Sequence, residues 1–459
     1  MIEERQSALE ELRARSAVGL AAQLDEHMQR LSWDGEQVRA HQRRRLRALL
    51  AHAVENSRFH SRRLGGIDPH RFELSDLPTL PTMTKPEMMA NFDQLVTDHR
   101  LTRRLADEHL ASSRVEPSLL FDRYVCLASG GSSGLRGVFV QRLDELIQFV
   151  ATVLRGPLTR IYAQGGVPPE GVAVGMVAAG SPVHSSGFGA ATATRFPVRF
   201  ASAPATLPLA EIVARLNAAD PPVLQGYPSL LRRLANQRRA GQLQIAPRSV
   251  TSLGETLTHE DRDVIATGFG VPVSDLFVST EGLVGRSEPG SEVLTFASDN
   301  CIVELVDRDE NPVQDGVLSA KALVTNLHNF TQPLIRYELT DQFTALPSAL
   351  EDGHLRATVE GRADTIFRYG DIVLIPHAIR SALATASAIC EYQIRQTDRG
   401  LEAAIVADGG LDAQAIAARL KGALRAAGLV NPQVTVRSVD TIGRDPETGK
   451  TKRFIPLEA

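Results

Sequence analysis

Apolar residues in the opening segment recur at helical spacing: Leu46, Leu49, Leu50 and Val54 fall three and four residues apart, which predicts helices over residues 1–65. The LPTLPTMTKPE stretch, 77–87, breaks that period and reads as extended, with Thr84 placed to cap a helix opening around Pro86. Between about 120 and 350 the texture changes. Short β-rich runs (YVCLAS, VAVGMVAA, PVLQGY, SVTSLG, DLFVST, CIVELV, ALVTNL) alternate with helical patterns such as EIVARL and SLLRRLANQRRA. That alternation predicts an α/β domain of mixed β-sheets covered by helices. After Gly361 a more compact alternation follows: DIVLIP, HAIRSALATA, CEYQIRQ, EAAIVA, DAQAIAARLKGALRAAG and QVTVRSV. It predicts a small α+β domain with its own core, so the chain divides into a large domain over 1–360, a hinge over 361–364 and a mobile C-terminal lid over 365–459.

Composition changes this picture little. Of 459 residues, 43% are hydrophobic and 23% charged, ordinary proportions for a soluble enzyme with a large core. Fifty basic against 54 acidic residues leave a formal charge of −4, so no global basic field invites nucleic acid. The run Arg43–Arg47 lies in an amphipathic helical stretch and reads as a solvated face. Cys126, Cys301 and Cys390 are far apart and form no Cys-x-x-Cys pair, which argues against a zinc site or disulfide framework and for a reducing cytoplasm. The charged N-terminus is no signal peptide, and the apolar stretch 171–180 is too short to cross a membrane and reads as a buried strand.

Five short motifs bring in chemistry. SGGSSG, residues 129–134, follows a strand and offers backbone N–H groups and hydroxyls suited to phosphate oxygens, or makes a tight polar turn. It is not a Walker loop, because no Gly-Lys-Ser/Thr follows. VSTE ends a strand in Thr280 and Glu281, where open α/β sheets place ligands. Thr280 suits a phosphate and Glu281 suits Mg²⁺, unless the pair merely caps a helix. Asp341 in PLIRYELTD can accept both hydroxyls of a ribose or cap a turn. GRAD, 361–364, marks the turn into the lid, and Lys450 in TGK is a terminal lysine of the kind that is usually solvated.

In this order the motifs, with LLAHAVENSRFHSRRL, LPTLPTMTK, QGYPSLL and SLGETLT, resemble the adenylate-forming superfamily of acyl-CoA synthetases, adenylation domains and luciferases. Within it the chain looks most like the phenylacetate–CoA ligase branch. The resemblance implies that Ser129, Gly130, Gly131, Ser132, Ser133 and Gly134 hold the ATP β,γ-phosphates, while Gly254 and Glu255 border adenine and substrate. It puts Phe277 on adenine, Thr280 at the α-phosphate, Glu281 on Mg²⁺, Asp341 and Arg362 at the ribose, Asp364 at the hinge and Lys450 at the transfer step. His184 and Gly187 match the family's His-x-x-Gly element, Phe188, Tyr227, Ala178 and Ala179 fall at its acyl pocket, and Gly370 falls beside its thiol tunnel. Without that context His184 reads as a core histidine.

The implied activity is ATP- and Mg²⁺-dependent adenylation of a small aromatic or medium apolar carboxylic acid, followed by transfer to a thiol, coenzyme A foremost. A carrier protein, an amine or an unusual oxyanion stays open, as do a homodimer and a non-catalytic nucleotide-binding scaffold. Three sites depart from the family pattern: Leu135, with Arg136 next to it, stands where a lysine is usual, Phe277-Val278 replaces Tyr-Gly, and Thr340 replaces the common glycine before Asp341.

Overall fold

The structure, a computed structural model, describes residues 2–129, 135–163, 166, 168–195, 198–347, 353–362, 365–370, 372–374, 376–384, 389–407 and 409–457. The amphipathic opening folds as helices Ile2–Gln29, Gly35–Asn56 and Arg58–Arg63. Asp34 and Gln37 form a reciprocal capping box at the second of these, so two orphan N–H donors are satisfied. Thr84 accepts from the Glu87 N–H and starts the helix Lys85–Ala90, with Pro86 in its first turn, as the sequence predicts.

The basic run 43–47 departs from a purely solvated face. Arg45 donates to the Leu327 carbonyl through Nε and Nη2, at 3.1 and 2.9 Å, and its guanidinium lies over the Phe330 ring. Arg47 holds the Phe72 carbonyl and Glu73. Long side chains can leave a polar helix face for distant carbonyls, which a periodicity argument does not register.

The β-rich runs assemble chiefly into a ten-stranded mixed sheet. At its centre Val198–Ser202, Val172–Val177, Val223–Gly226, Ser249–Leu253 and Val273–Val278 run parallel, joined by crossover helices. Val284–Ser287, Leu294–Phe296, Arg356–Arg362 and Asp341–Leu346 extend it antiparallel. Both faces are covered, which is why the parallel strands read as continuous apolar runs rather than as alternation. Helices Leu209–Ala219, Pro228–Arg239 and His259–Phe269 bury Ile212, Leu216, Leu231 and Ile265 against one face. Helices Ile2–Gln29 and Leu143–Ala163 cover the other with Leu20, Leu24, Leu146 and Leu158. Each such leucine contributes about 1.5–3 kcal/mol by leaving water.

Two smaller sheets flank this layer: the hairpin Tyr124–Ala128 with Val138–Arg142, whose connection carries SGGSSG, and the strands Cys301–Val306, Lys321–Asn326 and Tyr337–Leu339. Beyond residue 365 come the hairpin Phe367–Tyr369 with Ile372–Leu374 and a separate four-stranded sheet. Helices Pro376–Ala384 and Ala413–Ala426 accompany them around a core of Phe367, Ile379, Ile394, Ile405 and Leu420. Among the described residues, no helix is long and apolar enough to cross a membrane.

Candidate active site

The parallel strands end side by side, and their carboxyl ends deliver Ala179, Tyr227, Gly254 and Thr280 to one region. The buried Tyr227 hydroxyl accepts from the Ala179 N–H at 2.9 Å, which ties two strand ends together. Gly254 passes the Tyr227 ring so closely that an added Cβ would stand 2.8 Å from it. Glu255 accepts from the Ser229 N–H at 3.2 Å, at the start of helix Pro228–Arg239, and from the Thr451 N–H at 2.8 Å. One carboxylate thus spans the large domain and the C-terminal segment.

The turn after Val273–Val278 is fixed by Ser279, whose N–H donates to the Leu283 carbonyl at 3.0 Å while its Oγ accepts from the Leu283 N–H at 3.3 Å. Thr280 projects into the cavity described below, and Glu281 is buried, its backbone carbonyl accepting from Asn326 Nδ2 at 2.8 Å. The Tyr337 hydroxyl lies near the Glu281 carboxylate but outside hydrogen-bond geometry; burial and then that negative charge push its pKa up.

The TGK segment forms a tight loop organised by Asp445. Its carboxylate accepts from the N–H groups of Glu447 and Thr448 and from the Thr448 hydroxyl, while Gly449 N–H donates to the Asp445 carbonyl. Gly449 has φ +72° and abuts the backbone of Ala205, where a Cβ would come within 2.7 Å of the carbonyl carbon. Only glycine lets the loop seat this deeply. Seating brings Lys450 Nζ to 5.5 Å from the centroid of the Tyr227 ring. Burial lowers the lysine's pKa; Glu255, Asp341 and Asp445 oppose that effect and Arg362 adds to it. Asp341 and Arg362 face each other across an antiparallel pair, and Arg362 donates to Thr340 Oγ1 at 3.1 Å.

Further contacts hold the C-terminal segment down. Asp261 is buried between Arg453 at 2.7 Å and Arg232 at 3.0 Å. Burial raises its pKa, but the two guanidinium groups outweigh this and hold it below the usual carboxylate range. Arg136, next to Leu135, pairs with Glu447 at 3.2 Å.

Other candidate residues distribute unevenly. His184 Nδ1 lies 3.0 Å from the Ala128 carbonyl, which only accepts, so Nδ1 carries the proton. Nε2 is buried without a hydrogen-bond partner, 3.8 Å from Glu447, and burial lowers the ring's pKa. Phe188 lines the cavity, whereas Gly187 lies under the Ser181 carbonyl and Ala178 packs in the core. Phe277 points to the opposite side of its strand from the cavity-lining Leu276 and Val278, edge-on to Phe296 and Phe343 at 6.0 and 5.3 Å. The Ser129 hydroxyl accepts from the Gly137 N–H at 2.8 Å and closes the base of its loop. Gly370 turns the hairpin Phe367–Tyr369/Ile372–Leu374 with φ +60° and faces open space. Gly130, Gly131, Ser132, Ser133, Gly134 and Asp364 lie outside the described residues.

A cavity of about 260 Å³ runs from this region beneath the sheet. Its lining includes Ala179, Tyr227, Gly254, Thr280, Thr448 and Lys450 at the strand ends. It continues past Met176 and Val174 to Val172, a run of about 13 Å at 3.3 Å per residue. Helix Leu143–Ala163 walls it with Leu146, Ile147, Leu158 and Ile161, and the first helix closes it with Ser16, Ala17 and Leu20. The sequence reading missed this use of the first helix, and it missed Arg286 on the cavity wall and Asp445 in the loop; only Asp445, three residues before Thr448, carries a local turn signal.

No family model matches the chain. Among curated proteins, Protein CapK of Staphylococcus aureus is 28% identical over 139 residues, covering 28% of this chain and 28% of that protein. Among solved structures, 2-hydroxyisobutyryl-CoA ligase in a post-adenylation state superposes with a TM-score of 0.68 at 18% identity, covering 91% of this chain and 89% of that one. In its thioesterification state the same ligase gives 0.55 at 18% identity over 92% and 90% of the two chains. A benzoate CoA ligase from Burkholderia xenovorans LB400 gives 0.50 at 20% identity over 72% and 67%. The chain has the fold of the adenylate-forming acyl-CoA ligases.

Proposed function

We propose that the protein uses ATP to activate a carboxylic acid as its acyl adenylate and then passes the acyl group to the thiol of coenzyme A, in the manner of the phenylacetate–CoA ligase branch. The observation that carries this reading is Lys450. Delivered by the C-terminal loop, it shares one chamber with Thr280, Gly254 and Tyr227 and lies within electrostatic reach of Glu255, Asp341 and Arg362. Five motifs scattered through the sequence thus converge on one lysine.

In the first half-reaction a carboxylate oxygen attacks the α-phosphorus in line, and the bond to pyrophosphate breaks. The apolar cavity orients the acid, Lys450 offsets charge developing on the phosphoryl oxygens, Thr280 donates to the α-phosphate, and Asp341 accepts from the ribose hydroxyls. Mg²⁺ would be held by Glu281, which follows Thr280 at the end of the strand Val273–Val278, together with the nucleotide's own phosphates. That donor set fits the ion, which usually takes one or two carboxylates and substrate phosphates. When bound, Mg²⁺ supplies charge neutralisation at the phosphates.

For the second half-reaction residues 365–459 act as a lid that turns about Asp364, withdraws Lys450 and brings the Gly370 hairpin to the site. The thiol sulfur, its proton lost to solvent, attacks the acyl carbonyl carbon, and AMP leaves with the electron pair of the broken C–O bond. The higher superposition score against the post-adenylation state than against the thioesterification state, 0.68 against 0.55, supports an adenylation-type lid position here.

The test is pyrophosphate exchange into ATP across a panel of aromatic and aliphatic acids, followed by coenzyme A-dependent AMP release with any active acid. Exchange with acceleration of AMP release by coenzyme A is the expected result. Exchange without acceleration transfers the acceptor role to a carrier protein or an amine. Failure of every acid to support exchange refutes the ligase reading.

A further inference from the structure

The cavity's charge pattern does not match a simple apolar acid. Its lining contains a lysine and an arginine, Lys450 and Arg286, and no aspartate or glutamate. Lys450 belongs to the nucleotide end. Arg286 lies on strand Val284–Ser287, directly opposite Leu276 in the register, and so shares the cavity face with Leu276, Val278 and Val284.

Arg286 is partly buried on the cavity wall. Burial and then the Arg160 charge bring the Arg286 pKa down to about 10, against a smaller opposing pull from Glu288 and Asp275. Among the described residues no carboxylate stands within ion-pair range of it. Neither Lys450 nor the charges around that lysine are among those acting on Arg286, so the cavity has two separate cationic poles. The guanidinium reaches the middle of helix Leu143–Ala163, where Pro157 has no N–H to give the Val153 carbonyl. Arg286 Nη2 approaches that carbonyl only to 3.4 Å, longer than a normal N–H···O bond. The guanidinium is partly buried and borders the cavity, and with one long contact to protein most of its five donors remain available to a ligand there.

We propose that Arg286 is a specificity residue that pairs with a second anionic group on the acid, making the preferred substrate class a dicarboxylate with an apolar body. This rests on the adenylation reading of the same site: one carboxylate reaches Lys450 and Thr280 to react, and the other is held at Arg286. The hydrocarbon between them packs on Leu146, Val150, Leu276 and Val278. Charge-assisted, bidentate pairing suits a guanidinium better than any neutral partner would.

The experiment compares straight-chain and aromatic dicarboxylic acids of graded length with their monomethyl esters, on wild type, Arg286→Leu and Arg286→Lys, all checked for an unchanged melting transition. Pyrophosphate exchange reads activation, and calorimetric titration reads binding without requiring turnover. Wild type should favour a diacid of matching length over its ester by between about tenfold and a hundredfold in kcat/KM. Arg286→Leu should abolish that preference, and Arg286→Lys should keep part of it. Diacid binding that depends on Arg286 without any exchange would uphold the residue's role while refuting adenylation. Exchange with simple monoacids and no diacid preference would overturn the role and leave adenylation standing. A loss of melting temperature in both variants with unchanged acid preference would make Arg286 a cap for the Val153 carbonyl and would overturn the proposal as well.

Discussion

Replacing Lys450 by alanine removes a single positive charge from a protein-walled chamber without touching the sheet. Burial already lowers the lysine's pKa, so the ammonium acts where charge is weakly screened. Two unit charges 4 Å apart interact by about 4 kcal/mol at an effective dielectric near 20. Removing one pre-positioned donor from a reacting oxyanion costs about 3–4 kcal/mol, or about two to three powers of ten in rate. The loss should fall on the first half-reaction alone, because in the proposed cycle the loop Asp445–Lys450 leaves before a thiol enters. The assay measures pyrophosphate exchange alongside thioester formation from a supplied acyl adenylate, with melting temperature as the control. The same charge sets a pH profile. The ammonium is needed protonated and its pKa is lowered, so exchange should decline as pH rises through values below the ordinary lysine range, and Lys450→Arg should move that decline upward. If both half-reactions fell equally in Lys450→Ala, or if Lys452 proved the sensitive residue, the role assigned to Lys450 would be wrong.

Three further outcomes are expected. Gly449→Ala places a Cβ 2.7 Å from the Ala205 backbone at a positive φ, so the loop should fail to seat: exchange should drop by more than tenfold with thioester formation from acyl adenylate preserved, and an equal drop in both would refute the seating argument. Asp341→Ala should weaken ATP binding by about 1.5–3 kcal/mol through loss of a charged acceptor, read by calorimetry; unchanged affinity would remove the ribose role. Burial lowers His27 and His41 to about 4 and His60 and His328 to about 3, so between those values and about 6.5 the unfolded chain binds protons that the folded one refuses. Stability should therefore fall as pH drops from 7 to 5, and a melting temperature that held or rose over that range would contradict the buried neutral histidines.

The strands were legible because both of their faces are covered, so that VAVGMV and VSDLFV announce themselves as apolar runs. Thr84 was legible because capping is local chemistry. The loop lysine was legible through a short motif, although nothing in TGK says that Lys450 is buried. Arg286 was not legible: a polar residue in VGRS reads as solvent-facing until the register places it opposite Leu276. Arg45 was hidden likewise, since its partner carbonyl is 282 residues away. The side of the strand on which Phe277 lies depends on pairing and twist, which neither composition nor spacing records.

The first helix, Ile2–Gln29, gives Ser16, Ala17 and Leu20 to the cavity, whereas strand ends and the C-terminal loop build the end proposed for the nucleotide. What the pocket accepts and how the chemistry runs are thus encoded in different stretches of sequence. A lineage can exchange side chains at 16, 17 and 20 and so sample new acids while the machinery around Lys450 stays under its own selection. Gly19, between them, is less constrained than it looks: an added Cβ would lie 2.5 Å from Ile147 Cδ1, a side-chain tip that can turn aside. On that reading, diversification of substrate would be recorded as drift at positions 16, 17 and 20, in a part of the chain that carries none of the sequence motifs converging on Lys450.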